Sequence, residues 1–152
     1  MILDLKNVSK VFGKFCPNCL DHTGADYNSS ICPTCNSVVG VNDVNLTLSQ
    51  GEVLGIVGES GSGKSTLLQL IYQDQEASLG EIFVKDFVGK DGKKKNILDA
   101  NLNELSHLRN SLMSMIYQNP RLGLNYKFSA GGNIAQKVIM SGNKKYDEIR
   151  QR

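Results

Sequence analysis

No apolar stretch in this 152-residue chain approaches the roughly 18 residues that a membrane-spanning helix needs. The longest run, at residues 53–57, has the length of a strand. No charge of one sign dominates either. Seventeen Lys and Arg stand against fifteen Asp and Glu, a formal balance of +2, which is too even for a protein that wraps nucleic acid by charge alone. The N-terminus reads Met-Ile-Leu-Asp-Leu-Lys, without a basic region followed by an apolar run, so no signal peptide is read there. Composition also lacks the bias of a disordered or fibrous chain: 40% is hydrophobic and 21% charged. That mixture and length suit one modest domain with its own core. The expectation is a soluble cytoplasmic protein.

Residues 2–5 alternate apolar with polar, as a half-buried strand does. Residues 41–48 alternate too, with Val44, Leu46 and Leu48 on one face and Asn45 and Thr47 on the other. Residues 53–57 form a continuous apolar run bounded by glycines, the pattern of a central strand buried on both faces. A glycine-rich loop follows at 58–63, then a helix over 65–73 with Leu67, Leu68, Leu70 and Ile71 on its apolar face. A strand is expected at 80–84 and a solvated hairpin tip at 89–95. Residues 101–112 have helical spacing, 113–117 return to strand, and helices are expected at 133–140 and 146–152.

Gly58-Glu59-Ser60-Gly61-Ser62-Gly63-Lys64-Ser65 matches G-x-x-x-x-G-K-[ST] at every fixed position, with an apolar strand pattern before it and a helix pattern after. A triphosphate carries several negative charges that need donors on many sides. Glycines let the loop curl so that successive N–H groups point inward as an anion nest. The following helix start adds its unpaired N–H groups and positive dipole end. Lys64 is expected to bridge the β and γ phosphates, and the Ser65 hydroxyl to complete a Mg²⁺ shell. Thr66 is a further candidate phosphate contact. The reading is a site for ATP with Mg²⁺.

The flanks narrow the class. Ser9-Lys10-Val11-Phe12-Gly13, the stretch from Gly51 to Leu68, and Tyr117-Gln118-Asn119-Pro120 together resemble the ATP-binding subunit of the ABC superfamily. The resemblance implies that Phe12 stacks on adenine, with Phe15 as the other candidate. It also implies that Gln118 is the glutamine that touches Mg²⁺ and the attacking water and links the site to a partner surface. Gln118-Asn119-Pro120-Arg121-Leu122-Gly123-Leu124, Ser129-Ala130-Gly131-Gly132-Asn133-Ile134-Ala135 and Tyr146-Asp147-Glu148-Ile149-Arg150 are similar to the K-subunit family of the carbon–phosphorus lyase system. That likeness implies a partner in the soluble core complex of phosphonate breakdown rather than a membrane permease.

Two further points bear on mechanism. Ser129-Ala130-Gly131-Gly132-Asn133 echoes the superfamily signature Leu-Ser-Gly-Gly-Gln but follows Gln118 too soon to be it. No run of four apolar residues followed by Asp-Glu occurs after Gln118, and neither His22 nor His107 stands where the switch histidine belongs. The chain therefore reads as the N-terminal part of an ABC-type ATPase that binds ATP and turns it over little. The resemblance also implies a head-to-tail dimer partner for the full-length protein.

Cys16-Pro17-Asn18-Cys19 and Cys32-Pro33-Thr34-Cys35 are two C-x-x-C pairs separated by twelve residues. Each pair can present two sulfurs to one ion, and the linker lets the two knuckles converge. Four thiolates favour Zn²⁺ or, less often, iron. Disulfides would need an oxidising compartment. The segment 16–35 thus reads as a zinc ribbon inserted just after Phe12, near the base edge of the nucleotide. It holds no Lys or Arg, while Asp21 and Asp26 are present, so stapling or protein docking is favoured over contact with nucleic acid.

The expected fold is α/β, of the P-loop NTPase type: residues 1–152 form the N-terminal part of an ABC-type ATP-binding domain. It carries a mixed sheet, an antiparallel β subdomain and the inserted four-cysteine ribbon. Two other readings are an ATP-binding subunit working with membrane permease subunits of an oligopeptide importer, and a zinc-containing ABC protein of DNA repair.

Overall fold

The structure, a computed structural model, describes residues 1–140. The chain divides into two units, Met1–Ala100 and Asn101–Arg152. Among the described residues no helix is long and apolar enough to cross a membrane.

The first unit is built on a sheet of four antiparallel strands, β1 (Leu3–Phe12), β2 (Val38–Leu48), β3 (Leu79–Val88) and β4 (Lys94–Asn96), in the order β2-β1-β3-β4. Leu3 pairs with Leu48 on one side and with Val84 on the other, which puts β1 in the middle. The alternation that suggests a four-residue strand at 2–5 continues through Val8 and Val11, both buried, so β1 is longer than that pattern alone implies. The register of β1 slips twice against β2 before Lys10 and once against β3. Asn7, at φ 51°, sits at the slip and donates its side-chain amide to Asp43 Oδ1 at 2.8 Å. Asn and Asp tolerate this left-handed backbone better than most residues. Opposite the bulge, a Cβ on Gly80 would lie 2.6 Å from the Val8 α-carbon, so only glycine lets β3 approach.

One helix, α1 (Lys64–Tyr72), packs Leu67 and Leu70 inward. The core of this unit is completed by Leu5, Val8, Val41, Ile82, Val84, Phe87 and Ile97. At about 25 cal/mol per Å² of buried apolar surface, each such side chain contributes about 1.5–3 kcal/mol. The tip after β3 closes as a hairpin, with Gly89 N donating to Lys93 O at 2.9 Å.

The run at 53–57 differs from expectation. It belongs to no ladder among the described residues, and Val53 and Val57 are 95% and 93% exposed. A run apolar on both faces becomes a central strand only when strands flank it on both sides, and none of β1 to β4 pairs with it. The mixed sheet is accordingly absent from the described residues; only its antiparallel part is present.

In the second unit, α2 (Leu102–His107) starts with a capping box. Asn101 Oδ1 accepts from Glu104 N at 3.0 Å while Glu104 Oε2 accepts from Asn101 N at 2.8 Å. The helix expected to run to residue 112 changes instead to a π turn over Leu108–Leu112. Residues 113–117 are irregular rather than a strand, and Ile116 is exposed. α3 (Ala130–Met140) begins three residues before the position expected from sequence. The helix expected at 146–152 lies outside the described residues.

Candidate nucleotide site and cysteine centre

The phosphate-loop residues curl as their sequence requires. Gly61 and Gly63 take φ of 84° and 88°, backbone that a side chain would strain. Ser62 N donates to Glu59 O at 3.2 Å, tightening the turn. Gly63 then caps α1 without any side-chain acceptor on the first-turn N–H groups, leaving those donors and the helix dipole to an incoming anion. Lys64 Nζ donates to Gly58 O at 2.9 Å, Glu59 O at 2.6 Å and Ser62 Oγ at 3.1 Å, so the ammonium is held within the loop. Ser65, the second residue of α1, is exposed with its hydroxyl available to a cation; Thr66 is half-buried.

Phe12 ends β1 and is 40% exposed. Lys10 Nζ stands 5.3 Å from the centre of that ring and donates to Glu76 O at 2.6 Å. Gly40, on β2, joins this aromatic to the loop: a Cβ there would meet the Phe12 ring at 2.7 Å and the Thr66 methyl at 3.5 Å. The structure therefore brings Phe12 and Thr66 close to the same face of one glycine. Phe15, the alternative stacking residue, is 45% exposed. Gln118 is exposed and lies in the second unit. Asn119 beside it caps the turn Pro120–Gly123, accepting from Arg121 N at 3.1 Å.

Asn133 has a local structural task. Its side chain accepts from Asn125 N at 2.7 Å and donates to the carbonyls of Asn125, Phe128 and Ser129. It braces the loop that leads into α3.

The four cysteines are free thiols, and their sulfurs all lie within 4.8 Å of one another. Cys16 Sγ is 3.5 Å from Cys19 Sγ and 3.7 Å from Cys32 Sγ, and Cys19 Sγ is 3.4 Å from Cys35 Sγ. A tetrahedron of sulfurs around Zn²⁺ at about 2.3 Å has edges of about 3.8 Å, so the spacing fits a thiolate-ligated cation. Cys19 and Cys32 are fully buried and pack with Val11 and Val39 in a small separate core. The Ser37 hydroxyl and backbone N–H draw the Cys35 thiol down to about 6. At Cys19 the Cys16 backbone N–H favours the thiolate, but burial and the three neighbouring sulfurs outweigh it and push the thiol up to about 12. His22 stacks edge-on with Tyr27 at 5.7 Å and is not among the clustered ligand atoms.

A cavity of about 780 Å³ lies against the phosphate loop. It is lined by Ile56 to Lys64, by Val39 to Asn42 of β2, and by Thr23, Gly24, Ala25, Asn28, Ser29 and Ser30 of the cysteine insertion. Asn42 ties the insertion to β2, its amide donating to Leu20 O at 2.9 Å and Thr23 O at 3.4 Å. Sequence reasoning expects the insertion near the base edge of the nucleotide but does not single out Gly40, Asn42 or the individual residues from Thr23 to Ser30. Each is an unremarkable residue in a strand or a polar linker, and no spacing rule points to it.

Comparison with known proteins follows the same outline. The family model described as ABC transporter matches residues 41–151. Over 111 residues, 73% of this chain and 41% of the relative, it is 36% identical to an Escherichia coli protein named putative phosphonates utilization ATP-binding protein PhnK. Over 150 residues it is 31% identical to the trimethylamine N-oxide transport system ATP-binding protein TmoW of Pelagibacter ubique, covering 99% of this chain and 41% of that one. Over 108 residues, 70% of this chain and 30% of the relative, it is 36% identical to the oligopeptide transport ATP-binding protein OppD of E. coli. The chain thus spans less than half the length of these relatives. A solved ATP-binding cassette, described as a dimer in a post-hydrolysis state bound to ADP and Pi, superposes with a TM-score of 0.69 at 25% identity. It covers 99% of this chain and 53% of that one.

Proposed function

The chain belongs to the ABC transporter family, and from that premise we propose that residues 58–66 hold the phosphates of ATP. Lys64 contacts the β and γ phosphates, the backbone N–H groups of Gly58, Glu59, Ser60, Gly61, Ser62 and Gly63 form the nest, and Ser65 and Thr66 reach in from the helix start. The observation that carries this reading is the position of the Lys64 ammonium, held within the loop by Gly58, Glu59 and Ser62 at the head of a helix with uncapped N–H groups. Mg²⁺ bound with the nucleotide would neutralise phosphate charge, and the Ser65 hydroxyl at the helix start would serve as a donor to it. Phe12 stacks on the adenine, since it stands one glycine away from Thr66.

The fit of the four cysteine sulfurs to a tetrahedron supports Zn²⁺ as the ion at Cys16, Cys19, Cys32 and Cys35. The ATPase reaction belongs to the assembled protein. The family resemblance implies a water-positioning role for Gln118, and no run of four apolar residues followed by Asp-Glu, the setting of the carboxylate that polarises the water, occurs after Gln118 in these 152 residues. Alone, the chain binds ATP and turns it over slowly, in the cytoplasm. A head-to-tail dimer partner is the working state, in line with the dimeric solved cassette.

The partner we favour is the core complex of carbon–phosphorus lyase. The 36% identity to a protein named for phosphonate utilization supports this, as do the stretches 118–124 and 129–135. A second reading, an importer of the oligopeptide kind with membrane permease subunits, is supported by the 36% identity to OppD. Equilibrium dialysis with labelled Mg·ATP tests the first claim: retention that Lys64→Ala sharply weakens is expected. Copurification tests the second, a soluble enzyme complex favouring phosphonate breakdown and integral membrane proteins favouring import.

A further inference from the structure

We propose that the cysteine-clamped insertion is a second wall of the nucleotide cavity, contacting the nucleoside, and that the metal in its cysteine centre sets the affinity for ATP. This rests on the nucleotide reading above and goes beyond it, because the family match begins at residue 41 and the insertion precedes it.

The wall is made of Thr23, Gly24, Ala25, Asn28, Ser29 and Ser30, facing the same cavity as the phosphate loop. Its chemistry complements the loop. The loop offers an ammonium and backbone donors suited to phosphates, whereas the wall offers the Ser30 hydroxyl, the Asn28 amide and backbone groups with no cation. Such neutral donors and acceptors suit ribose hydroxyls or the edge of a base, where no charge has to be neutralised.

Little apolar burial holds this wall in place. Its one turn, Ala25–Tyr27, has no buried residue. It is closed by Gly24 N donating to Ser29 O at 2.8 Å, and anchored by Val39 N donating to Ser30 O at 2.7 Å. The other anchors run to the cysteine centre and β2: Thr23 Oγ1 donates to Cys19 O at 2.7 Å, and Asn42 holds Leu20 O and Thr23 O. Val39 belongs to both, packing on Cys19 and Cys32 and lining the cavity. A segment this short cannot order itself by burial, and a bound metal replaces the missing core. Release of the metal therefore frees the wall, and nucleotide binding then carries the cost of ordering it.

The test uses the full chain loaded with Zn²⁺, the same protein stripped by chelator, and two ligands, Mg·ATP and inorganic tripolyphosphate. Tripolyphosphate reaches the loop and has no nucleoside for the wall. Stripping the metal is expected to weaken ATP by about tenfold while tripolyphosphate changes by less than about twofold. Asn42→Ala, which cuts the tether and leaves all four thiols, is expected to retain zinc and weaken ATP selectively. Ser30→Trp, which adds bulk to the wall, should do the same. ATP affinity that ignores the metal overturns the inference, and so does equal loss for both ligands, which would mean the metal only supports the fold. Failure of the zinc-loaded protein to bind either ligand overturns the nucleotide reading itself.

Discussion

The carbonyl oxygen of Gly40 occupies the place that a Cβ on Gly63 would need. Strand β2 and the end of the phosphate loop, twenty-three positions apart in the chain, are therefore in backbone contact, and the loop is backed by the sheet. Gly63 is doubly constrained, by this contact and by its φ of 88°. Gly63→Ala is expected to displace the loop, abolish ATP retention and lower stability by about 1–3 kcal/mol. Unchanged nucleotide binding and melting temperature in this variant would refute the contact.

Lys64→Ala removes a charge-assisted interaction with phosphate worth about 1.5–3 kcal/mol, so ATP affinity should fall about 10- to 150-fold. The side chain is half-buried and bonded only to its own loop, so thermal unfolding should barely move. Isothermal titration alongside calorimetric melting separates the two effects; a variant that melts early without losing ATP would contradict the assignment.

Cobalt offers a direct view of the cysteine centre. Co²⁺ added to the metal-free chain should give the visible absorption of a tetrahedral thiolate site, at one ion per chain. Cys19→Ser or Cys32→Ser, each removing a fully buried sulfur, should reduce metal affinity at least about tenfold. His22→Ala should leave the spectrum unchanged, because His22 is engaged with Tyr27 instead. A spectrum sensitive to His22 would revise the ligand set.

Ile82 is fully buried on β3, the strand beside β1. Ile82→Ala should cost about 2–5 kcal/mol through lost transfer energy and the cavity left behind. Urea titration of the variant against the parent chain reads this directly, and a change below about 1 kcal/mol would place Ile82 outside the packed core.

Asn133 serves four hydrogen bonds to the turn before α3. They are exposed, so Asn133→Ala should cost about 1–2 kcal/mol rather than the sum of four buried bonds. ATP affinity of the isolated chain should not change. A loss of ATP binding would instead give the Ser129–Asn133 stretch a role at the nucleotide.

Where local chemistry decides the outcome, the chain is legible from its residues. The phosphate loop and α1 follow from glycines that permit positive φ, a lysine at fixed spacing and leucines on one helical face. The convergence of four sulfurs follows from paired C-x-x-C spacing. Residues 53–57 and 113–117 could not be settled in this way. Their apolar or alternating pattern states what a strand would bury, while pairing depends on neighbours remote in sequence. The π turn at Leu108–Leu112 also breaks a pattern whose helical spacing is regular.

By itself the sequence determined which groups are suited to phosphate and which to a soft metal, because those preferences reside in individual side chains and in short-range spacing. Only the tertiary structure decided that the phosphate loop and part of the cysteine insertion line one cavity, that Phe12 and Thr66 both come close to Gly40, and that Asn42 ties the insertion to the sheet. These relationships join segments separated by tens of residues. They depend on how antiparallel strands register and bulge, and no local pattern of residues encodes that register.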